Sequence, residues 1–469
     1  MSVFVRKHPI HACAILAGLT LSLSPVSNSF AASSPATETD QAIRAIISDK
    51  QHEIAPGCIV GTFKDGSAQK MIPQGYADIE NRQPIDGDTQ FYAASISKQF
   101  TALAAATLIA QGKLALDDDV RRYLPELPAY RAPVTVGMLM HHTSGIRDSL
   151  GLLRLAGMND VGRASKEQAL HLLFQQQGTD FAPGTAYRYS NGGYLLLAEI
   201  VERVSGLPFA EYARRAVFEP IGMKGAYFID NNLRPGTFAH GYLPVGEGFA
   251  VRDTFPRFSG SGGLMLSMND LARYEYDIDR GHKVWTPRIA KIMLTPGRYA
   301  DGSLIDDGNG LSYGGGLHLG EKGGQYVVMH TGSAEALKHA YTRLPDQHLA
   351  FAILCNRGDW TASAKLRDVI TASGVRYPGF PATMPTGTFY SEQLESRYRL
   401  APEGDGLRVE MSSDLTARPT VQHFTPQDDG RYHDGSMSIT PTDDPARILV
   451  GRGGIEGIAL IRRDKDVTE

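Results

Sequence analysis

The stretch that most constrains the fold of this chain runs from Phe91 to Ala110. It opens with a short aromatic segment typical of a strand and continues as an alanine-rich, apolar segment with no Gly or Pro before Gly112. That pattern predicts a buried helix that ends at Gly112. Ser95 and Lys98 stand at the start of this helix, and their spacing places both side chains on one helical face.

Ser95 and Lys98 together have the chemistry of a nucleophile and its base. A serine hydroxyl attacks poorly until a base removes its proton. A lysine one turn away suits that role when burial lowers its pKa and keeps it neutral. Free N–H groups at the helix N-terminus would also stabilise an oxyanion. The alternative interpretation is a capping serine followed by a solvated lysine.

A second Ser-x-x-Lys match, Ser67–Lys70, has a different setting. It follows Asp65-Gly66, a turn signal between two strand-like segments, and this predicts a hairpin. Of the two matches, the one at Ser95 opens a long apolar helix. Ser95 is therefore the candidate nucleophile.

Length and composition describe an ordinary globular protein. The 469 residues are enough for about two or three domains. Hydrophobic residues make up 42% of the chain and charged residues 21%, both typical of globular proteins. The formal net charge of −4 argues against a nucleic-acid partner.

Residues 1–31 have the three parts of a secretory signal peptide. Arg6-Lys7-His8 is basic, residues 12–23 form an apolar core too short to span a bilayer, and Ser29-Phe30-Ala31 is a small-x-small cleavage site. We expect cleavage after Ala31 and secretion across the inner membrane to the periplasm, with no stable membrane insertion afterwards. An uncleaved membrane anchor is the alternative.

Beyond the signal peptide the chain has two cysteines, Cys58 and Cys355, each in a strand-like segment. In an oxidising compartment they would form a disulfide if the two strands are neighbours. Two buried free thiols fit the sequence equally well.

Two further motifs lie where functional side chains are often displayed. Tyr189-x-Asn191 precedes a predicted helix at residues 194–205, and His330-Thr331-Gly332 ends a predicted strand. Each motif is weak alone, since an aromatic packing residue followed by a capping asparagine explains the first one. The adjacent His141-His142 lacks the i, i+4 spacing typical of zinc ligands on a helix, so we predict no metal site. We also predict no cofactor.

The last part of the chain has the pattern of a small all-β module. Residues 376–387 contain three prolines and two glycines and are predicted to be a linker. Residues 388–469 follow as short strand-like segments separated by turns, with Leu407, Val409 and Met411 alternating with polar residues. A small antiparallel barrel or sandwich fits this pattern.

The three motifs Ser95-x-x-Lys98, Tyr189-x-Asn191 and His330-Thr-Gly332 occur in one order over residues 40–375. In this order they resemble the penicillin-recognising serine hydrolases, in particular the class C β-lactamase-like family. The resemblance implies an α+β fold for a hydrolase domain at residues 32–375. In that fold, helices flank an antiparallel sheet and an all-helical subdomain is attached.

The resemblance also implies a role for each motif residue. Ser95 would be the acylated nucleophile, and Lys98 and Tyr189 would move its protons, with the base in acylation left open. Backbone N–H groups of Ser95 and Ser333 would form the oxyanion hole. The other predicted substrate-binding residues are Asn191, His330, Thr331 and Gly332. His330 takes a place often held by lysine, a feature that resembles the peptidase and esterase members.

The predicted function is hydrolysis of a small amide or ester through an acyl-enzyme, on a small-molecule or short-peptide substrate. The first-ranked candidate activities are those of a D-aminopeptidase, a D,D-peptidase and an esterase. A class C β-lactamase ranks lower because of His330 and the C-terminal module, and a non-catalytic penicillin-binding or scaffold protein is a further alternative. Glu335 and Leu337 stand where many relatives have glycines, so we expect them to narrow the cleft or change its substrates.

Overall fold

A computed structural model of the chain describes residues 37–463, apart from 230–232, 234–237, 309, 323, 376–384, 404–405, 417, 427–430, 435–436, 443 and 453–454. The predicted signal peptide at 1–31 and most of the predicted linker at 376–387 lie outside the described residues. Both stay predictions, as does the domain division that depends on them.

An antiparallel sheet organises the first part of the chain. Its seven strands run in the order β10-β11-β12-β13-β14-β1-β2, and the other strands of this part form two- and three-stranded pieces. In chain order the strands are β1 (Cys58–Lys64), β2 (Ser67–Gln74), β3 (Tyr76–Asp78), β4 (Gln83–Pro84), β5 (Phe91–Tyr92), β6 (Tyr227–Phe228), β7 (Tyr242–Val245), β8 (Gly248–Val251), β9 (Leu264–Leu266), β10 (Ser312–Tyr313), β11 (His318–Lys322), β12 (Gln325–Ser333), β13 (Lys338–Leu344) and β14 (Leu349–Cys355).

Helices cover both faces of this sheet, and further helices form a part of their own beside it. In chain order they are α1 (Glu38–Ile47), α2 (Ser97–Ala110), α3 (Val136–Met140), α4 (Ser149–Leu155), α5 (Lys166–Phe174), α6 (Asn191–Ser205), α7 (Phe209–Ala213), α8 (Glu219–Ile221), α9 (Met268–Tyr276), α10 (Pro287–Leu294) and α11 (Ala362–Ala372). None of these helices combines the length and apolar character that a membrane-spanning segment needs.

Successive residues of β1 point to different cores, because side chains alternate between the two faces of a strand. Val60 packs with Ile43 of α1 and Leu366 of α11. Ile59 and Phe63 belong to the second core, which includes the apolar residues of α2. The helices from α3 to α8 form the all-helical part, and α6 packs against α2. The predicted α+β fold is confirmed.

Two of the predicted helix boundaries were wrong for a local reason. The spacing of Ile43, Ile46, Ile47 and Ile54 predicts a helix over residues 39–53. The helix α1 ends at Ile47 instead, since the Asp49 carboxylate accepts hydrogen bonds from the N–H groups of Gln51 and His52 and closes a turn. The helix predicted to carry Ser95 begins as an α-helix only at Ser97. Residues 94–96 form a tighter 3₁₀ turn before it.

Cys58 and Cys355 lie directly opposite each other on the neighbouring strands β1 and β14 and form a disulfide. The bond joins residues 297 positions apart in the chain. It decides between the two interpretations that the sequence left open.

The C-terminal strands close into an antiparallel barrel rather than a sandwich. Each strand pairs with the next along the chain, and β15 pairs with β22 to complete the ring. The predicted alternation holds in its interior, where Leu407 and Val409 are buried. The strands are β15 (Gly387–Ser391), β16 (Ser396–Glu403), β17 (Gly406–Ser413), β18 (Thr420–Pro426), β19 (Tyr432–His433), β20 (Met437–Pro441), β21 (Arg447–Arg452) and β22 (Ile455–Arg462).

Candidate active site

Ser95 lies in the turn between β5 and α2. The residue before it, Ala94, has a φ of 47°, in the left-handed region that a side chain with a Cβ rarely adopts. The turn is held in place because Ala93 N–H donates to the carbonyl oxygen of Leu264 on β9 at 2.8 Å. Such strained positions persist only where the surrounding structure supports them, and they are common at functional sites.

Lys98, in the first turn of α2, is completely buried. Its Nζ lies 3.2 Å from Ser95 Oγ, 2.8 Å from Asn191 Oδ1 and 2.8 Å from the carbonyl oxygen of Ser261. Burial lowers the pKa of Lys98 to about 7, although the negative charge of Asp148 acts in the opposite direction. A large fraction of this amine is therefore neutral near pH 7.

The three partners of Lys98 suit a neutral amine. The carbonyl oxygen of Ser261 is an acceptor, and so is Asn191 Oδ1. A neutral amine has two N–H bonds for these two acceptors, and its lone pair then faces the third partner, the Ser95 hydroxyl. This arrangement lets Lys98 accept the proton of Ser95 without changing its other contacts.

Asn191 is the first residue of α6, and Asp148 fixes its orientation. Asp148 Oδ2 accepts hydrogen bonds from both the backbone N–H and the Nδ2 of Asn191, each at 2.8 Å. The other carboxylate oxygen, Oδ1, accepts from Gly151 N–H and caps α4. Asp148 therefore links the starts of two helices and turns Asn191 Oδ1 toward Lys98.

Tyr189 lies beside this cluster and is half-buried. The centre of its ring is 4.6 Å from Lys98 Nζ. Removal from water raises the pKa of Tyr189 above its ordinary value, and the interaction of its hydroxyl with Ser95 lowers it by a smaller amount. The ring packs on His142, whose Nδ1 accepts from the Ser190 N–H. The phenol therefore stays protonated at neutral pH.

His330, on β12, is buried behind the cluster rather than exposed to solvent. Its Nε2 lies 3.0 Å from the Tyr313 hydroxyl, and its Nδ1 lies 2.6 Å from the carbonyl oxygen of Thr331. Burial holds the pKa of His330 well below the ordinary value for histidine. The side chain is therefore neutral at physiological pH and has an acceptor for one ring nitrogen and a hydroxyl for the other.

Gly332 has a packing role that the motif alone does not reveal. A Cβ at this position would lie 2.5 Å from the carbonyl oxygen of Ala93, which is closer than real Cβ contacts. Absence of a side chain lets β12 approach the turn that carries Ser95. Ser333, the next residue, is thereby brought to the same cavity as the nucleophile.

A cavity of about 480 Å³ opens in front of Ser95. Of the predicted site residues, Ser95, Asn191 and Ser333 line it, while Lys98, Tyr189, His330, Thr331 and Gly332 are not among its lining residues. Glu335 also lines the cavity, whereas Leu337 is buried in the core. The remaining lining residues are Tyr92, Ala94, Leu150, Arg154, Asn159, Asp160, Val161, Thr254, Pro256, Ser261, Gly262 and Ala334.

The sequence model of the Beta-lactamase family matches residues 43–375. The chain belongs to the beta-lactamase family. This membership confirms the resemblance to the penicillin-recognising serine hydrolases that the three motifs indicated. The matched region contains all three motifs.

Among members of the family, a D-aminopeptidase of Brucella anthropi is 30% identical over 313 residues, which are 65% of this chain and 57% of the relative. The chain thus spans little more than half the length of that relative. A D-aminopeptidase of Gluconobacter oxydans is 28% identical over 369 residues, or 77% of this chain and 68% of the relative.

Solved structures show the same fold at lower identity. The octameric penicillin-binding protein homologue from Pyrococcus abyssi superposes with a TM-score of 0.64 at 23% identity, over 87% of this chain and 96% of its own. The D-amino acid amidase from Ochrobactrum anthropi SV3, in complex with D-phenylalanine, superposes with a TM-score of 0.61 at 22% identity, over 72% of this chain and 99% of its own.

Two contributors to this beta-lactamase-family site were missed by the motifs. Asp148 carries only the signal of a helix cap, an aspartate directly before Ser149 and the apolar residues of α4. Ser261 stands in the glycine-rich turn at residues 259–263, and it acts through a backbone carbonyl, which no side-chain pattern identifies.

Proposed function

We propose that this chain is an exported serine hydrolase that cleaves small amides or esters through an acyl-enzyme on Ser95. The observation that carries the proposal is the contact of 3.2 Å between Lys98 Nζ and Ser95 Oγ, with the pKa of the lysine lowered to about 7. A general base is most effective when its pKa is near the working pH.

In the proposed acylation step, neutral Lys98 takes the proton of Ser95 as Oγ attacks the substrate carbonyl carbon. Lys98 suits this role better than Tyr189, because a phenol with a raised pKa is almost entirely protonated at pH 7. The carbonyl oxygen becomes an oxyanion, which the backbone N–H groups of Ser95 and Ser333 would stabilise.

Collapse of the tetrahedral intermediate breaks the bond to the leaving amine or alcohol. The Tyr189 hydroxyl would donate a proton to that leaving group and recover one from Lys98, whose Nζ lies 4.6 Å from the centre of its ring. Deacylation reverses these transfers with water in place of the leaving group, and Ser95 is regenerated. Asn191 Nδ2 gives one N–H to Asp148 and retains a second one for the substrate carbonyl group.

D-aminoacyl amides and short esters are the leading substrates. The curated relatives at 28–30% identity are D-aminopeptidases, and a structural relative is a D-amino acid amidase. A penicillin or cephalosporin carries a carboxylate, for which a cationic partner is expected. Neutral, buried His330 supplies no such charge at the place often held by lysine, which ranks β-lactamase activity lower.

Export rests on the predicted signal peptide at residues 1–31. The Cys58–Cys355 disulfide supports it, since disulfides persist in oxidising compartments such as the bacterial periplasm.

Labelling of the protein with a fluorophosphonate, followed by intact and peptide mass spectrometry, tests the proposal. We expect one adduct, on the peptide that contains Ser95, and none in the Ser95→Ala variant. D-aminoacyl anilides, p-nitrophenyl esters and a cephalosporin would then be compared as substrates. Absence of an adduct, or an adduct on another residue, would favour the non-catalytic alternative, and fast cephalosporin hydrolysis would reverse the order of the two enzyme candidates.

A further inference from the structure

We propose that Glu335 binds the α-ammonium group of the substrate and makes the site selective for amides and esters of amino acids with a free α-amine. This inference rests on the proposed function, because it names the substrate class of the same cavity. It concerns a residue that belongs to none of the three motifs.

Glu335 is held at the cavity by the hairpin loop between β12 and β13. Its neighbours Ala336 and Leu337 are fully buried, and Ala334 N–H donates to the carbonyl oxygen of Leu337 at 2.9 Å. The loop is therefore anchored on the side of the core. The Glu335 side chain itself is exposed and lines the cavity with Ser95 and Asn191.

Two neighbouring side chains orient the Glu335 carboxylate but do not occupy all its hydrogen-bond acceptor sites. Thr254 donates its hydroxyl hydrogen to Glu335 Oε2. Arg252 forms an ion pair with Glu335, with Nε 4.0 Å from Oε1 and beyond hydrogen-bond distance, and both side chains are nearly half exposed, so that water screens the pair. A carboxylate has about four acceptor sites, so Glu335 retains room for an ammonium donor.

Glu335 lines the same cavity as Ser95 and Ser333, the residues of the predicted oxyanion hole, and it follows Ser333 closely in the chain. In an aminoacyl substrate the α-nitrogen is two bonds from the carbonyl carbon. The carbonyl oxygen would be bound by Ser333 N–H, and Glu335 follows Ser333 by two residues in the chain. A long, flexible carboxylate side chain from this position is suited to reach the adjacent nitrogen.

Asp160 is the other carboxylate among the described residues that line the cavity, and Arg154 is the cation. Asp160 Oδ1 accepts from Gly162 N–H at 3.0 Å and caps the turn at residues 161–163. It therefore belongs to the helical part, separate in sequence from β12 and the predicted oxyanion hole. Of the two carboxylates, Glu335 is therefore better placed to bind the α-ammonium group.

The test compares two anilides that differ only in the amine, D-alanine p-nitroanilide and propionic acid p-nitroanilide, with p-nitrophenyl propionate as an uncharged ester. We expect Glu335→Gln to lower kcat/KM for the D-alanine anilide about 10- to 100-fold, mainly through KM, as loss of a hydrogen bond to a charged group predicts. The two substrates without an amine should change less than about twofold. Glu247→Gln, an equal loss of charge at an exposed site in the β7–β8 hairpin, is the matched control.

Three results would overturn the role of Glu335 while leaving the serine hydrolase intact. The first is an equal fall in kcat/KM on all three substrates in Glu335→Gln. The second is a wild type that shows no preference for the substrate with the amine. The third is loss of that preference in Asp160→Asn but not in Glu335→Gln. Ester hydrolysis that depends on Ser95 reports a folded, working enzyme in each case. If the wild type consumes none of the substrates and Ser95 takes no fluorophosphonate, the proposed function fails together with this inference.

Discussion

Asp148 Oδ2 accepts a hydrogen bond from Asn191 Nδ2 at 2.8 Å, and this contact decides which amide atom Asn191 presents to Lys98. With Nδ2 held by the carboxylate, Oδ1 faces Lys98 Nζ at 2.8 Å. Together with the carbonyl oxygen of Ser261, it takes the two N–H bonds of a neutral amine and leaves the lone pair for Ser95. Asp148, which belongs to none of the motifs, thus orients a motif residue.

The pH dependence of the wild type follows from the lowered pKa of Lys98. A general base works in its neutral form, so activity is present above the pKa and is lost as pH falls through it. We expect kcat/KM for an uncharged p-nitrophenyl ester to rise with pH and level off above an apparent pKa of about 7. A profile that is flat between about pH 5 and 9 would show that no base with a pKa near 7 controls the rate, and it would exclude Lys98 with its lowered pKa as the general base.

Asp148→Asn should move that profile toward lower pH. The negative charge of Asp148 raises the pKa of Lys98, so its removal lowers that pKa further and keeps the amine neutral in more acidic solution. Weaker control of Asn191 should also reduce the limiting kcat/KM about 10- to 100-fold. Asp346→Asn, an exposed aspartate outside the cavity, provides the matched loss of charge. A profile that stays in place or moves to higher pH would contradict the electrostatic role of Asp148.

Much of the fold and part of the site were predictable because the signals are local. The i, i+3 spacing of Ser95 and Lys98 sets their proximity in any helix-like conformation, and their Nζ–Oγ distance is 3.2 Å. The hairpin at Asp65-Gly66 also follows from short-range turn chemistry. Asn191, 93 residues beyond Lys98, was recognised through the order of the motifs and not through spacing.

The remainder depends on contacts between distant elements. His330 was expected at the substrate, yet it is buried against Tyr313, and its predicted substrate contact stays a prediction. The requirement for Gly332 comes from the backbone of Ala93, more than two hundred residues earlier. Neither a side-chain orientation nor a close backbone approach is encoded in a motif of three residues.

Tyr189→Phe should remove a proton donor without disturbing the fold. The ring contacts to His142 and Lys98 remain, and only the hydroxyl that faces Ser95 is lost. We expect kcat to fall about 10²- to 10⁴-fold, the range for general acid–base groups, with an unchanged melting temperature. The fall should be smaller for a p-nitrophenyl ester than for an anilide, since p-nitrophenolate leaves without a proton. Equal losses on both substrates would argue that Tyr189 does not protonate the leaving group.

Gly332→Ala should separate β12 from the turn that carries Ser95. The added Cβ would lie 2.5 Å from the Ala93 carbonyl oxygen and 3.1 Å from Ile96 Cγ1, so backbone must shift. Overpacking of this kind costs about 1–3 kcal/mol in the free energy of unfolding, measured by urea denaturation. Fluorophosphonate labelling of Ser95 should slow as well. Gly178→Ala is the control, because its Cβ would have no neighbour within 4 Å, and equal effects of the two substitutions would contradict the packing role.

Reduction of the Cys58–Cys355 disulfide should lower stability and leave the chemistry intact. The bond joins residues 297 positions apart and closes a long loop in the unfolded chain, and a disulfide typically contributes about 2–4 kcal/mol to the free energy of unfolding. Neither cysteine is among the residues that line the cavity, so ester hydrolysis at 25 °C should be the same before and after reduction. Urea unfolding of the wild type with and without dithiothreitol measures the difference in the free energy of unfolding. A Cys58→Ala/Cys355→Ala double variant is the control, because its unfolding should not respond to dithiothreitol. Identical unfolding midpoints for the oxidised and reduced wild type would mean that the disulfide does not contribute to stability.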